Sequence, residues 1–218
     1  MNQPEFKEFQ KIARLNREVV VTEKIDGTNG LIYIPDGTEC DCGHEMTYHA
    51  GYCNYYNDAF GVERCKCQEF KYTPKVFAGS RSKWVTPEDD NFGFAKWVEK
   101  NRDELLYLGP GYHYGEWWGK GIQRGYSQPE KRFSLFNVKL WGDDRTRPHC
   151  CDVVPVITRG LDIRSATEEA LAVLRTKGSV AAPGFMKPEG VVVFHTASNH
   201  LFKVTLEKDS EPKGKNNG

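Results

Sequence analysis

Glu23-Lys24-Ile25-Asp26-Gly27-Thr28-Asn29 sets a lysine between two acidic residues and three positions before a glycine. The runs on either side, Val19-Val20-Val21 and Leu31-Ile32-Tyr33-Ile34, are β-branched and aromatic enough to read as strands. The stretch is therefore expected as the connection of a hairpin running from Val19 to Ile34, with Lys24 at a sheet edge where a ligand can reach it. A lysine that only confers solubility needs no such setting. One used as a nucleophile must spend time neutral, and burial or neighbouring cations are the usual means to that end. The plainer alternative is a charged hairpin closed by an Asp-Gly turn, and seven residues alone do not separate the two.

The chain of 218 residues is long enough for one sizeable core, or for one domain carrying a small insert. Thirty basic residues balance thirty acidic ones, so any polyanion site must be a local cluster rather than a global field. No apolar run approaches the roughly 20 residues of a membrane span, and Met1-Asn2-Gln3-Pro4-Glu5 lacks the basic flank and apolar stretch of a leader. A cytosolic protein with no membrane association is expected.

Seven cysteines is an odd number, and five of them lie between positions 40 and 67. That crowding suits metal ligation in a reducing compartment better than a disulfide framework. Cys40 and Cys42, His49 and Cys53, and Cys65 and Cys67 offer six soft ligands, with His44 a further candidate, in a segment too polar to pack as a core. Zn²⁺ needs four, and which four bind is not legible from the spacing. Residues 37–73 thus read as a cysteine-rich zinc insert, with Tyr48, Tyr52, Tyr55 and Tyr56 available for base stacking. The adjacent Cys150 and Cys151 read as buried thiols instead.

Regular structure resumes at Lys75 to Ser80. A helix is expected over Asn91 to Leu106, with Phe94, Trp97, Val98 and Leu105 on its apolar face and Asp90 or Asn91 as its cap. Strands are expected at Tyr112 to Glu116 and, as an interior strand, at Arg132 to Leu140. Ser165 and Glu168 form a capping-box pattern, Ala170, Leu171, Val173 and Leu174 an apolar stripe, and Gly178 stands where a terminating glycine belongs. Gly190 to Phe194 and Leu201 to Leu206 read as two strands joined by the turn-prone Ser198-Asn199, and residues 208–218 as a flexible polar tail.

Five separated segments now carry a resemblance. Lys24-Ile25-Asp26-Gly27, Tyr114-Gly115-Glu116, Phe133 to Phe136, Glu189-Gly190-Val191-Val192 and Lys203 occur in the order seen in covalent nucleotidyltransferases, with Ser80-Arg81 between the first two. The chain resembles the ATP-dependent RNA ligases of that superfamily, in particular phage RNA ligases of the second type, from about Val19 to Leu206. The resemblance implies an α+β fold of mixed, mostly antiparallel sheets with flanking helices: a nucleotidyltransferase domain over residues 1–207, with the zinc insert within it. It leaves no room for the OB-fold or helical C-terminal domain of such ligases.

The resemblance also implies roles. Lys24 would attack the α-phosphate of ATP, release pyrophosphate and carry AMP as a phosphoramide. Glu23, Ile25 and Gly27 would line the nucleotide, Glu116 would accept from the ribose hydroxyls and Phe136 would stack on adenine. Glu189 would hold Mg²⁺ or Mn²⁺, and Lys203 would place a positive charge at the α-phosphate. Arg81 would contact phosphate of ATP or of the nucleic-acid end, and Asn29 would serve the later steps, in which AMP passes to a 5′-phosphate and a 3′-hydroxyl displaces it. Lys120 and Arg124, in a glycine-spaced loop beside Glu116, are set against phosphate of ATP or of nucleic acid; a solvated turn is the alternative. Trp117 and Trp118 are set in the core rather than against bases. Where the family carries Lys-x-Lys, Thr205 follows Lys203-Val204, which leaves Lys208 or Lys120 to supply the second charge. The implied partner is RNA. A DNA nick ligase, or a nucleotidyltransferase retired to nucleic-acid binding, are the alternatives, and oligomeric state is not legible.

Overall fold

The computed structural model describes residues 5–37 and 74–207. The six proposed zinc ligands, Lys208 and the polar tail lie outside the described residues. In chain order the strands are β1 (Val19–Lys24), β2 (Thr28–Ile34), β3 (Phe77–Gly79), β4 (Trp84–Val85), β5 (Gly111–Gly119), β6 (Lys131–Leu135), β7 (Cys151–Val153), β8 (Val156–Gly160), β9 (Gly190–His195) and β10 (His200–Thr205). The helices are α1 (Phe94–Lys100), α2 (Arg102–Leu105), α3 (Val138–Trp141) and α4 (Ile163–Lys177). Among the described residues they group into two compact units, one within 5–26, 124–129 and 154–207, the other within 27–37, 74–123 and 130–153.

The first unit is an antiparallel sheet in the order β10-β9-β1-β8. Alternation along β1 and β9 sends Val19, Val21, Val191 and Val193 to one face, where they pack with Ala166, Ala170, Leu171 and Leu174 of α4. Each large side chain buried there contributes on the order of 1.5–3 kcal/mol. The helix is capped three residues before the expected Ser165: the Asp162 carboxylate accepts from the Ser165 backbone N–H at 2.8 Å. It ends at Gly178, as the sequence suggests, with φ of 77° and a carbonyl where a Cβ would sit.

The second unit is a sheet in the order β4-β3-β2-β5-β6-β7, antiparallel except for the β6/β7 pair. One of its faces carries Ile32, Ile34, Trp117, Phe133 and Leu135, which form a core with Phe94, Ala95, Val98 and Leu105. Trp117 and Trp118 are both buried, as expected of them. The helix expected over Asn91 to Leu106 is broken at Asn101, whose backbone leaves the helical region at φ −103° and ψ 15° and whose side-chain amide joins its own N–H on the Trp97 carbonyl. Asp90 serves its start by accepting from the N–H groups of Ala95 and Lys96. The strand expected to reach Leu140 stops at Leu135, because Asn137 turns the chain into α3 and accepts from the Leu140 N–H. It is interior, lying between β5 and β7.

The expected hairpin from Val19 to Ile34 does not form. β1 lies between β8 and β9 in one sheet, and β2 between β3 and β5 in the other. Both edges of each strand are taken by other partners, so neither has a hydrogen-bonding edge left for the other. Among the described residues no helix is long and apolar enough to cross a membrane.

Candidate active-site residues

Lys24 is the last residue of β1, and antiparallel register sets it opposite Gly190, the first residue of β9. Glu189 precedes that glycine, so two residues 165 positions apart in sequence meet at one end of the first unit's sheet. The Lys24 Nζ donates to Glu189 Oε2 at 2.6 Å, with the two side chains 24 and 17 % exposed. The pair is reachable from solvent yet held in one geometry.

Register also places Lys203. It pairs with Val192, which pairs with Thr22, so Lys203 shares the Lys24 face of the sheet, two strands and about 10 Å across. Its side chain is exposed. Thr205 occupies the row of Lys24 and Gly190 itself, and its hydroxyl donates to the Glu207 carbonyl at 2.8 Å.

Glu23 faces the other way. Its carboxylate, 1 % exposed, accepts from the Ser179 hydroxyl at 2.6 Å and from the N–H groups of Val180 and Ala181 at 2.7 and 2.8 Å. These bonds anchor the end of β1 to the turn that follows α4. Ile25 is buried. Asp26 pairs with the Arg124 guanidinium at 3.0 Å, and Arg124 also donates to the Lys187 carbonyl at 3.0 Å. Arg124, set against phosphate by the sequence reading, is thus engaged with protein groups.

The sequence alone does not mark Tyr126. Its ring is buried against Phe185, and its hydroxyl oxygen accepts from the Asp26 N–H at 2.9 Å and from the Glu189 N–H. Burial holds the phenol well above the ordinary tyrosine range, an effect the nearby Glu23 and Asp26 charges reinforce against the amide donors. One neutral oxygen therefore bonds the backbone of both segments that carry the Lys24–Glu189 pair. The only local signal is an aromatic residue inside a glycine-rich loop, with a φ of 49° that no sequence pattern announces.

The second unit holds the other candidates. The Gly27 N–H donates to Glu116 Oε1 at 3.0 Å, and Asn29 pairs with Glu116 across β2 and β5. A Cβ on Gly27 would lie 2.5 Å from the Trp117 carbonyl oxygen and 2.8 Å from the Trp118 Cβ, so this approach requires glycine. Phe136 follows β6, its N–H donates to the Tyr114 carbonyl, and its ring is 40 % exposed. Arg81 is exposed in the β3–β4 turn, which Ser80 closes through backbone and side-chain bonds with Lys83. Lys120 is exposed in the loop after β5, its N–H donating to the Glu130 carbonyl. Among the described residues, no group of three or more His, Cys, Asp or Glu side chains is arranged to hold a metal ion.

The architecture has counterparts of known structure. A mutant of Naegleria gruberi RNA ligase with ATP and Mn is similar at 17 % identity and a TM-score of 0.51, over 90 % of this chain and 52 % of that one. Another mutant of that ligase, with AMP and Mn, gives 16 % identity and a TM-score of 0.50, over 93 % and 57 %. The same ligase with PPi gives 17 % and 0.50, over 90 % and 53 %. At these identities the likeness is one of fold, and the chain spans about half the length of that ligase. No curated protein matches the chain in sequence. A family model described as RNA ligase does match, over residues 17–205, a span that takes in Lys24, Glu116, Glu189 and Lys203. On that match, which runs from just before β1 through the last residue of β10, the chain belongs to the RNA ligase family.

Proposed function

We propose that this chain is an ATP-dependent RNA ligase acting through a covalent lysyl-AMP. The observation that carries the reading is the Lys24–Glu189 contact, a lysine and a carboxylate brought together at 2.6 Å by strand register. Lys24 must shed its extra proton before its lone pair can attack; Glu189, its partner at 2.6 Å, would give up that contact on taking a divalent cation, and positive charge beside Lys24 favours the neutral amine. Attack forms a P–N bond to the α-phosphorus of ATP and breaks the bond to the pyrophosphate oxygen. Lys203, on the same face, would stabilise the charge that builds there. In the second unit Glu116 would accept from the ribose hydroxyls and Phe136 would offer its exposed ring to adenine. Transfer of AMP to a 5′-phosphate and its displacement by a 3′-hydroxyl would complete ligation, with Asn29, Arg81 and Lys120 toward the nucleic acid.

Glu189 is partly exposed and, among the described residues, belongs to no group of three or more metal-ligating side chains, which suits a cation that takes most of its shell from ATP oxygens and water. Glu189 would hold it, and when bound Mg²⁺ or Mn²⁺ supplies neutralisation of the triphosphate. The chemistry of the cysteine and histidine side chains between positions 40 and 67 fits Zn²⁺, and we assign that segment a structural zinc ion. Its test is zinc content: wild type carries the metal and Cys42→Ser carries less, whereas metal-free wild type refutes the assignment.

Intact mass after incubation with ATP and Mg²⁺ tests the main reading. Wild type gains one AMP and Lys24→Ala gains none. Folded wild type that was not already adenylylated, yet gains nothing, would overturn it, and a GMP adduct formed from GTP in its place would point to capping chemistry.

A further inference from the structure

A sheet with one face on a core presents its other face to solvent, and that face is ordinarily polar. The six-stranded sheet departs from this. Opposite the face of Ile32, Ile34 and Trp117, alternation along β2, β3 and β5 puts Tyr33, Phe77, Tyr112 and Tyr114 on one side, and pairing of Gly79 with Trp84 adds the tryptophan of β4. The rings form a continuous band. Centroids lie 6.1 Å apart for Phe77–Trp84 and Tyr33–Phe77, 4.4 Å for Tyr33–Tyr112 and 6.4 Å for Tyr112–Tyr114. Four of the five are open to solvent, with Phe77 42 %, Trp84 51 %, Tyr112 58 % and Tyr114 55 % exposed.

A contiguous apolar surface of this kind marks a binding site more often than an accident of folding. Three observations define its ligand. The band is aromatic, and three of its five rings are phenols, a surface suited to flat, polar-edged groups. The same face continues along β2 and β5 to Asn29 and Glu116, so the band is contiguous with the residues set against nucleotide and nucleic acid. Exposed cations, Lys75 and Arg81, stand just before and just after β3. Stacking rings flanked by positive charge are how proteins hold single-stranded nucleic acid, since every base has a π-face and every linkage a phosphate.

We propose that the band of Trp84, Phe77, Tyr33, Tyr112 and Tyr114 is a track for the bases of a single-stranded RNA end, leading toward Asn29 and Glu116. The choice of RNA rests on the ligase reading above; the stacking surface does not. The track gives the second unit its own hold on the strand, with a sequence-tolerant contact that selects unpaired over paired ends.

The test uses the full chain and a fluorescent oligouridylate with a 5′-phosphate, in the absence of ATP. Trp84→Thr and Tyr112→Thr keep a strand-compatible residue but remove a ring, and each is expected to weaken RNA binding roughly tenfold. Trp84→Phe and Tyr112→Phe keep a ring and are expected to bind nearly as wild type. AMP-adduct formation stays at the wild-type level in all four, which also shows that they are folded. Binding equal to wild type in both threonine variants would overturn the proposal, as would equal losses in the phenylalanine and threonine variants. So would a dimer that the threonine variants dissociate with no change in RNA affinity, since the band would then be an interface between copies. Failure of wild type to accept AMP sinks the ligase reading separately, because ring-dependent RNA binding would still be seen.

Discussion

The end of β1 and the outer face of the six-stranded sheet hold their candidate residues in opposite ways. At the end of β1 almost every polar group has a fixed protein partner: Lys24 with Glu189, Glu23 with three donors, Asp26 with Arg124, and the Tyr126 hydroxyl with two backbone amides. On the six-stranded sheet Arg81 and Lys120 are exposed, Phe136 is two-fifths open, and an aromatic band faces solvent. On the function proposed above, the difference would follow the demands of two tasks. Covalent attack needs a nucleophile held in one geometry before substrate arrives. Gripping an RNA strand of variable sequence needs surfaces that take whatever base comes, and exposed rings and long cations do that without prior fixing.

The sharpest way to break the fixed side is Glu23→Ala. The substitution leaves the Ser179 hydroxyl and the Val180 and Ala181 N–H groups without their acceptor in a place where water barely reaches. Hydrogen bonds to a charged group contribute about 1.5–3 kcal/mol each, so a loss of about 3 kcal/mol or more in unfolding free energy is expected. Thermal and denaturant melts read it. Hydrogen exchange sharpens it, since the Val180 and Ala181 amides should lose protection before those of α4. A variant as stable as wild type would mean that Glu23 is not the anchor of β1, and would return it to the nucleotide-lining role that the family resemblance implies.

Gly27→Ala tests the other end of the short connection, on the six-stranded side. The new methyl meets the Trp117 carbonyl oxygen at 2.5 Å and must push it or the Gly27 backbone away, at a cost of about 1–3 kcal/mol. That movement also parts the Gly27 N–H from Glu116, the residue proposed to hold ribose. A raised KM for ATP in AMP-adduct formation is expected, with a smaller fall in kcat. A fall in kcat alone would place the connection with the chemistry of Lys24 instead of with nucleotide binding.

How far these features are legible before folding depends on how local their causes are. The apolar stripe of α4 and the glycine that ends it can be read directly, because each is a matter of neighbours within one or two turns. Lys24, Glu116 and Glu189 are legible as motif residues, yet the meeting of Lys24 with Glu189 is not, since it depends on β1 pairing with β9 across most of the chain. The hairpin misreading has the same origin: two strands separated by three residues look like partners until longer-range strands claim all four of their edges. Trp117 and Trp118 are read correctly as core. Tyr126 escapes notice because its duty lies in the backbone amides of residues distant in sequence, which leave no trace in its own surroundings.

Tyr126→Phe is the smallest of the three changes and separates positioning from packing. The ring stays against Phe185, while the Asp26 and Glu189 N–H groups lose their shared acceptor, for an expected cost of about 1 kcal/mol at neutral pH. The cost itself has a pH dependence of defined sign. In the unfolded chain the phenol ionises near its ordinary value of about 10, whereas in the folded protein burial keeps it neutral well beyond that. Above about pH 10 the unfolded state therefore binds fewer protons than the folded one, and wild-type stability falls as pH rises. The phenylalanine variant lacks this slope, and the lysines that titrate nearby are common to both proteins and cancel in the comparison. The stability gap between the two should thus be constant up to about pH 10 and narrow above it. A gap that does not change with pH would show that the hydroxyl is not the protonated, buried bridge between the two segments, and the fixed geometry at Lys24 would then rest on the Glu23 anchor and the β1–β9 register alone.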